Sequence, residues 1–273
     1  SQGLDTVTLD IFTAGRFSPE GPIAEIINQR PDAGINPLSP EESENYTLGF
    51  AYNSDFGLVA SVDIYQINVN DRFGTSQTFT PTAAERAQFV AMGVPGGEGI
   101  TRVNFFQNDF DTRTRGVDVV ASYRTDLGAG GLTLTGAYNF NDTKVTGGTL
   151  ALDETNRVRF EEILPKHTAN ASAAYSFGGF ELLGRVRYYG SWTDYSFNAT
   201  GDIFQDFGAE IFVDLAATWR ATDKLSLRVG AENIFDTYPD EAEFQASRGL
   251  IYSRNAPYDT DGGFYYIRAD IEF

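Results

Sequence analysis

Two stretches of the chain carry side chains suited to recognising a small molecule. Residues 73–112 hold Phe79, Phe89, Phe105, Phe106 and Phe110, interleaved with Arg102, Asn104, Gln107 and Asn108. Residues 194–208 hold Tyr195, Phe197, Phe204 and Phe207 beside Asn198, Gln205 and Asp206. Aromatic faces stack on flat ligands and amides add directional hydrogen bonds, a combination that suits a sugar or an aromatic chelate. The candidate substrate-binding set is therefore Phe79, Arg102, Asn104, Phe105, Phe106, Asn108, Tyr195, Phe197 and Asn198. The competing reading is that the rings fold each segment onto itself.

Catalytic and metal chemistry find little support. The chain has no Cys, which excludes thiol nucleophiles, thiolate metal sites and disulfides. His167 is the lone histidine, and no Gly-x-Ser-x-Gly element accompanies it, so neither a metal site nor a hydrolase triad is expected. Asp236, Asp240, Glu241, Glu243, Asp259 and Asp261 crowd one segment against Arg248 and Arg254. Ca²⁺ is the cation such a segment could hold. The spacing matches no fixed calcium loop, and a solvated acidic face is the favoured reading. The expectation is a non-enzyme with no resident cofactor.

A formal charge of −18 argues against nucleic acid, which demands a basic track. It also tilts the ligand away from a highly anionic chelate and toward a neutral or zwitterionic one. Aromatics at 14% are too many for a disordered acidic chain. No apolar run reaches the length of about eighteen residues that a membrane-spanning helix needs. No basic-then-apolar leader opens the chain, and Ser1 reads as the start of a processed or cut piece.

The elements that must position these side chains are strands. From Tyr265 to Phe273, Tyr265, Ile267, Ala269, Ile271 and Phe273 share one face, and Tyr266, Arg268, Asp270 and Glu272 the other. The same period of two recurs near 6–13, 44–54, 56–70, 114–126, 131–143, 167–177, 180–193, 211–220 and 224–232. Strands of this length exceed the usual five or six residues and match the roughly 9–11 residues that cross a bilayer. Tight links at 53–57, 126–130, 178–179 and 222–223 alternate with long polar ones near 73–112, 144–165, 194–208 and 236–262, and another long segment, near 16–43, precedes them. That alternation puts all turns at one end and all loops at the other, as in an outer-membrane barrel. Aromatics fall in two bands: Tyr52, Phe56, Tyr123, Tyr175, Phe177 and Trp219 near the turns, and Tyr46, Phe140, Trp192, Phe235 and Tyr265 near the loops. Such bands match interfacial girdles. The fold expected is an all-β transmembrane antiparallel barrel. Segment 81–92 reads as one short helix, with Thr82 and Glu85 placed for a capping box.

Three stretches resemble the TonB-dependent outer-membrane receptors. Arg16-Phe17-Ser18-Pro19 resembles an Arg-x-x-Pro element that opens an external loop. Residues 36–49, including Leu38-Ser39-Pro40-Glu41-Glu42-Ser43 and Tyr46-Thr47-Leu48-Gly49, resemble the family's entry into a barrel strand. Ala231-Glu232-Asn233-Ile234-Phe235-Asp236-Thr237-Tyr238 is similar to its penultimate-strand signature. The resemblance covers only the C-terminal part of such a receptor, about ten strands of a 22-stranded barrel. It implies active import of a scarce nutrient (a siderophore, cobalamin or an oligosaccharide) across the Gram-negative outer membrane. The implied partners are membrane lipid and lipopolysaccharide, an N-terminal half with its plug, and the TonB–ExbB–ExbD complex acting through that plug. Phe273 fits the insertion signal read by the barrel assembly machinery. The alternative is a free-standing ten-stranded passive porin.

Overall fold

The computed structural model describes residues 2–4, 11–152, 154–198, 201–243 and 249–272. The chain divides into two compact units. One comprises 1–44, 68–112 and 145–152, and the other 45–67, 113–144 and 153–273. Four strands contribute segments to both: β3 (Glu42–Asn53), β4 (Leu58–Thr75), β5 (Ile100–Leu127) and β6 (Gly130–Gly148).

The larger unit is a sheet. Its members are β3 (Glu42–Asn53), β4, β5, β6, β7 (His167–Phe177), β8 (Phe180–Tyr189), β11 (Glu210–Thr222), β12 (Leu225–Glu232) and β13 (Phe264–Ile271), each bonded to the next in that order. From β6 onward every pairing is antiparallel. The register settles which side chains share a face. Ala173, Gly184, Leu215, Ala231 and Tyr265 form one row across five strands; Tyr175, Leu182, Ala217, Val229 and Ile267 form another. Between them, on the opposite face, lie Ala174, Leu183, Ala216, Gly230 and Tyr266, and further along Ser172, Arg185 and Asp214. One face is continuously apolar and outward-exposed, with Leu215 at 45%, Val229 at 56% and Ile267 at 84%. In water that exposure would be costly, since each such side chain forfeits about 1.5–3 kcal/mol of burial. In a hydrocarbon layer it costs nothing.

The strand links behave as the sequence analysis expected. Residues 54–57, 128–129, 178–179 and 223–224 make tight turns, and long connections occupy the other end. Gly116 and Gly230 have a separate task on the polar face. A Cβ at either would run into the ring of Tyr65 or Tyr266, each of which lies across its neighbouring strand. Among the described residues β3 pairs only with β4 and β13 only with β12, so the sheet is not closed by these strands.

The smaller unit has a core of its own. A hairpin of β1 (Gln2–Leu4) and β2 (Ile11–Phe17) is joined to β5 by a parallel pairing of 13–17 with 100–105. The first candidate strand is thus represented by β2; residues 6–10 lie outside the described part. Helix α1 (Pro22–Ile27), with Pro at its start, buries Ile23, Ala24, Ile26 and Ile27. Helix α2 (Ala83–Ala91) buries Phe89. These meet Ile35, Phe79, Ile100, Val103 and Phe105 in one apolar cluster. The capping box is formed: the Thr82 hydroxyl accepts from Glu85 N–H, and Glu85 accepts from Thr82 N–H at 2.6 Å.

Several expected loops are more regular than the sequence suggested. β5 runs for 28 residues, roughly 90 Å at about 3.3 Å per residue, so residues 100–112 are strand. Residues 194–208 are largely a hairpin of β9 (Trp192–Asn198) and β10 (Gly201–Phe207). Residues 144–165 contain the end of β6 and helix α3 (Glu154–Glu162), and 16–43 contain α1. The described parts of 236–262 are irregular.

Candidate functional site

Each unit contributes one candidate region. In the smaller unit a cleft of about 780 Å³ opens beside the apolar cluster. Its walls come from the 32–39 segment, from Ser76 and Gln77 after β4, from Gln107–Asp109 of β5, and from Gly148–Leu152 after β6. The expected strand-entry motif therefore edges the cleft through Pro37 and Ser39. Asn108 holds the walls together: its Oδ1 accepts from Ser39 N–H at 2.8 Å, and its Nδ2 donates to Ser39 O at 2.9 Å and Asp71 O at 2.6 Å. Asp109 accepts from Thr149 N–H at 3.0 Å and from the Thr149 hydroxyl. Glu41, two residues past Ser39, accepts from Phe73 N–H at 2.7 Å.

Behind the cleft, Arg30 ties the 28–35 turn to α2. Its guanidinium donates to both Glu85 oxygens, at 2.7 and 2.5 Å. Those bonds to Arg30 hold the Glu85 carboxyl down to about 2 and raise the guanidinium above its ordinary value. This group is therefore structural.

In the larger unit the second region is built on β9, β10 and the last connection. Trp192 stacks on Phe207 with centroids 4.5 Å apart and donates its indole N–H to the Tyr258 hydroxyl at 3.1 Å. Burial raises the Tyr258 hydroxyl above its ordinary value, so it stays protonated. Asp194, 3% exposed, accepts from Tyr195 N–H, from Asn255 Nδ2 at 2.9 Å and from the Ser253 hydroxyl. A buried carboxylate satisfied this fully pins the connection to the hairpin.

On the polar face of the same sheet, Asp214 gathers four donors. Arg185 Nε lies at 2.7 Å, Arg187 at 3.1 and 3.0 Å, and Asn233 N–H at 2.9 Å. This explains the penultimate-strand signature. Asn233 and Asp236 both take positive φ, 49° and 54°. Asn233 exchanges side-chain bonds with Thr237, and Asp236 accepts from Gly263 N–H. The motif ends β12 and anchors the chain where β13 begins.

The sequence candidates divide. Phe79 and Phe105 are buried in the smaller core, 3% and 0% exposed, with rings 6.0 Å apart. They are core residues and present no face to a ligand, because they pack with the apolar residues of α1 and α2. Asn104 is spent on Ser76 O and the Thr78 hydroxyl. Arg102 is exposed, and Phe106 is exposed with the Arg16 guanidinium 6.0 Å from its ring. Asn108 lines the cleft. Tyr195 packs between Phe204, at 5.8 Å, and Arg159, at 4.6 Å. The side chains of Phe197 and Asn198 lie outside the described part, as does Phe273. Gln107, Asn36 and Gln77 were not among the candidates. The signal available was their amide chemistry beside a loop motif.

The girdle set also divides. Tyr175, Phe177, Phe180 and Trp219 form a continuous row of rings across β7, β8 and β11, with neighbouring centroids 5.3–6.2 Å apart. Tyr123 meets Phe56, and Tyr46, Tyr52, Phe235 and Tyr265 are exposed. Phe140 packs against His167 at 5.0 Å, and His167 bonds the Tyr138 hydroxyl at 2.8 Å. Trp192 is the exception. It is 3% exposed inside the β9–β10 cluster, because its ring pairs with Phe207 across the hairpin.

A family model described as TonB dependent receptor-like, beta-barrel, matches residues 8–234. No curated protein matches the sequence. Among solved structures, the chain is similar to the pyoverdine outer membrane receptor FpvA from Pseudomonas aeruginosa PAO1, with TM-score 0.61 and 18% identity over 89% of this chain and 31% of that one. The outer membrane transporter YddB from Escherichia coli gives 0.59 and 9%, over 86% and 33%. The FrpB iron transporter from Neisseria meningitidis gives 0.55 and 17%, over 85% and 32%. The chain spans about a third of the length of these proteins.

Proposed function

Because this chain belongs to the TonB-dependent receptor β-barrel family, whose members lie in the Gram-negative outer membrane, we propose that it works in active, TonB-dependent import of a scarce nutrient. The observation that carries the reading is the sheet itself. Its apolar face is continuous, its polar face is held by Arg185, Arg187 and Asp214, and its tight turns lie at one end. In lipid an unpaired backbone group costs several kcal/mol, so a sheet in this setting has each of its edges paired with a further strand. The similarity to receptors named for pyoverdine and for iron supports a siderophore or metal cargo as one class, with cobalamin and oligosaccharides as the others. The plug, TonB, ExbB and ExbD are the partners that complete the proposal.

The test is uptake by cells carrying the full-length receptor, with and without a functional tonB gene. Saturable uptake that disappears without TonB supports active import. Equal uptake in both strains, together with large ohmic conductance of the purified protein in planar bilayers, would make it a passive pore.

A further inference from the structure

We propose that the cleft of the smaller unit binds an uncharged, hydroxyl-rich ligand of the oligosaccharide class. This rests on the import reading for its cellular meaning, while the binding itself is independent of it. At about 780 Å³ the cleft falls within the roughly 300–1,000 Å³ that accommodates a drug-sized ligand. Its walls are already fixed by Asn108 and by the Asp109–Thr149 contacts, so little ordering is needed on binding.

The chemistry follows from which polar atoms remain unspent. Among the described residues the Gln107 amide makes no side-chain hydrogen bond, and the Asp32 carboxylate accepts none. Asn36 donates to Gly34 O and Gln77 to Asp32 O, which leaves both amide oxygens open. The open groups include both kinds: acceptors on Asp32, Asn36, Gln77 and Gln107, and donors on the Gln107 NH₂ and on the second N–H of Asn36 and of Gln77. A polyol fits that balance, because each hydroxyl donates and accepts. Leu152, 89% exposed at the rim, offers apolar surface for the C–H face of a sugar ring. Among the described residues no Lys or Arg lines the cleft. Arg30, whose field reaches Asp32, is committed to Glu85. An anionic ferric chelate would meet two carboxylates, Asp32 and Asp109, without a cation to offset them.

The experiment uses the purified full-length receptor in detergent, screened against an array of neutral di- to tetrasaccharides. Hits are titrated by calorimetry, with ferric tris-catecholate as the anionic comparator. The expected result is saturable binding of at least one neutral saccharide, weakened at least tenfold in the Asn36→Ala/Gln107→Ala double variant, with unchanged thermal unfolding. Asn36 is exposed and Gln107 only half-buried, so neither change opens a cavity in the core. Three results would each overturn the assignment: no neutral saccharide binds, its binding survives the double substitution, or ferric tris-catecholate binds and is the ligand that the substitutions weaken. The uptake test separates the two proposals. TonB-dependent uptake of an anionic chelate, unaffected by the double variant, would leave import standing and remove the cleft. Saccharide binding lost in the variant, with uptake indifferent to TonB, would do the reverse.

Discussion

Removing the Asp214 carboxylate should cost more than any other single change on the polar face of the sheet. Asp214 is 7% exposed and accepts from two guanidiniums and one backbone N–H. Breaking a buried ion pair by deleting one partner costs about 3–5 kcal/mol, because the other charge stays desolvated. Arg185 is 45% exposed and can rehydrate, whereas Arg187 is 23% exposed and lies 5.3 Å from the Phe212 ring. The expected loss for Asp214→Ala is therefore about 2–4 kcal/mol, most of it through Arg187 and the freed Asn233 N–H. Asp214→Asn keeps an acceptor for Asn233 and should lose about half as much. The assay is urea unfolding of the full-length receptor in micelles, followed by circular dichroism and by heat-modifiable gel migration. A double-mutant cycle with Arg187→Ala should give a coupling of about 1–2 kcal/mol. A loss below about 0.5 kcal/mol, or a coupling indistinguishable from zero, would refute the reasoning.

Two further outcomes follow from the smaller unit and from the tryptophans. Glu85 is depressed to about 2 from an ordinary 4.5, so its tie to Arg30 contributes fully above about 4.5 and is lost as pH falls toward about 2. Hydrogen exchange in α2 should rise through that window, and Glu85→Gln should exchange quickly at every pH; an unchanged profile in the variant would remove the role assigned to the pair. The chain has two tryptophans, and the structure separates their environments. In single-tryptophan versions of the receptor, brominated lipid should quench Trp219, which is 47% exposed on the apolar face, and leave Trp192, which is 3% exposed, nearly unaffected. Equal quenching would contradict the placement.

The sheet was legible in the sequence because lipid imposes one rule on every strand. Along most of β6, β7, β8, β11, β12 and β13 alternate residues are apolar or Gly, and that period survives local variation in propensity. The α2 cap was legible for a different reason: a capping box is local, and Thr82 and Glu85 needed no distant partner. The burial of Phe79 and Phe105 was not legible. A ring among polar neighbours reads the same whether it faces a ligand or a helix, and α1, which supplies part of that partner, lies far upstream of both rings. Trp192 was misplaced on similar grounds, since its partner Phe207 arrives through a hairpin with no strong turn signal. Residues 100–112 were read as loop because both faces carry polar side chains, although β2 and the smaller core still pair with them. Helix α3 offers no apolar stripe in Glu-Thr-Asn-Arg-Val-Arg-Phe-Glu-Glu; it is held by Lys144 and Arg157 on the buried Glu161. The cleft depends on amides from three separated segments, and only folding brings them together.

The most direct test of the account is cysteine accessibility along β11 in the intact receptor, reconstituted in lipid with any other cysteines removed. Single cysteines at 213, 215 and 217 should resist a membrane-impermeant maleimide and react with a lipid-soluble one, while those at 214, 216 and 218 should show no such protection by lipid. Protection without that period of two, or lipid-soluble labelling confined to the even positions, would contradict the claim that Val213, Leu215 and Ala217 face the bilayer.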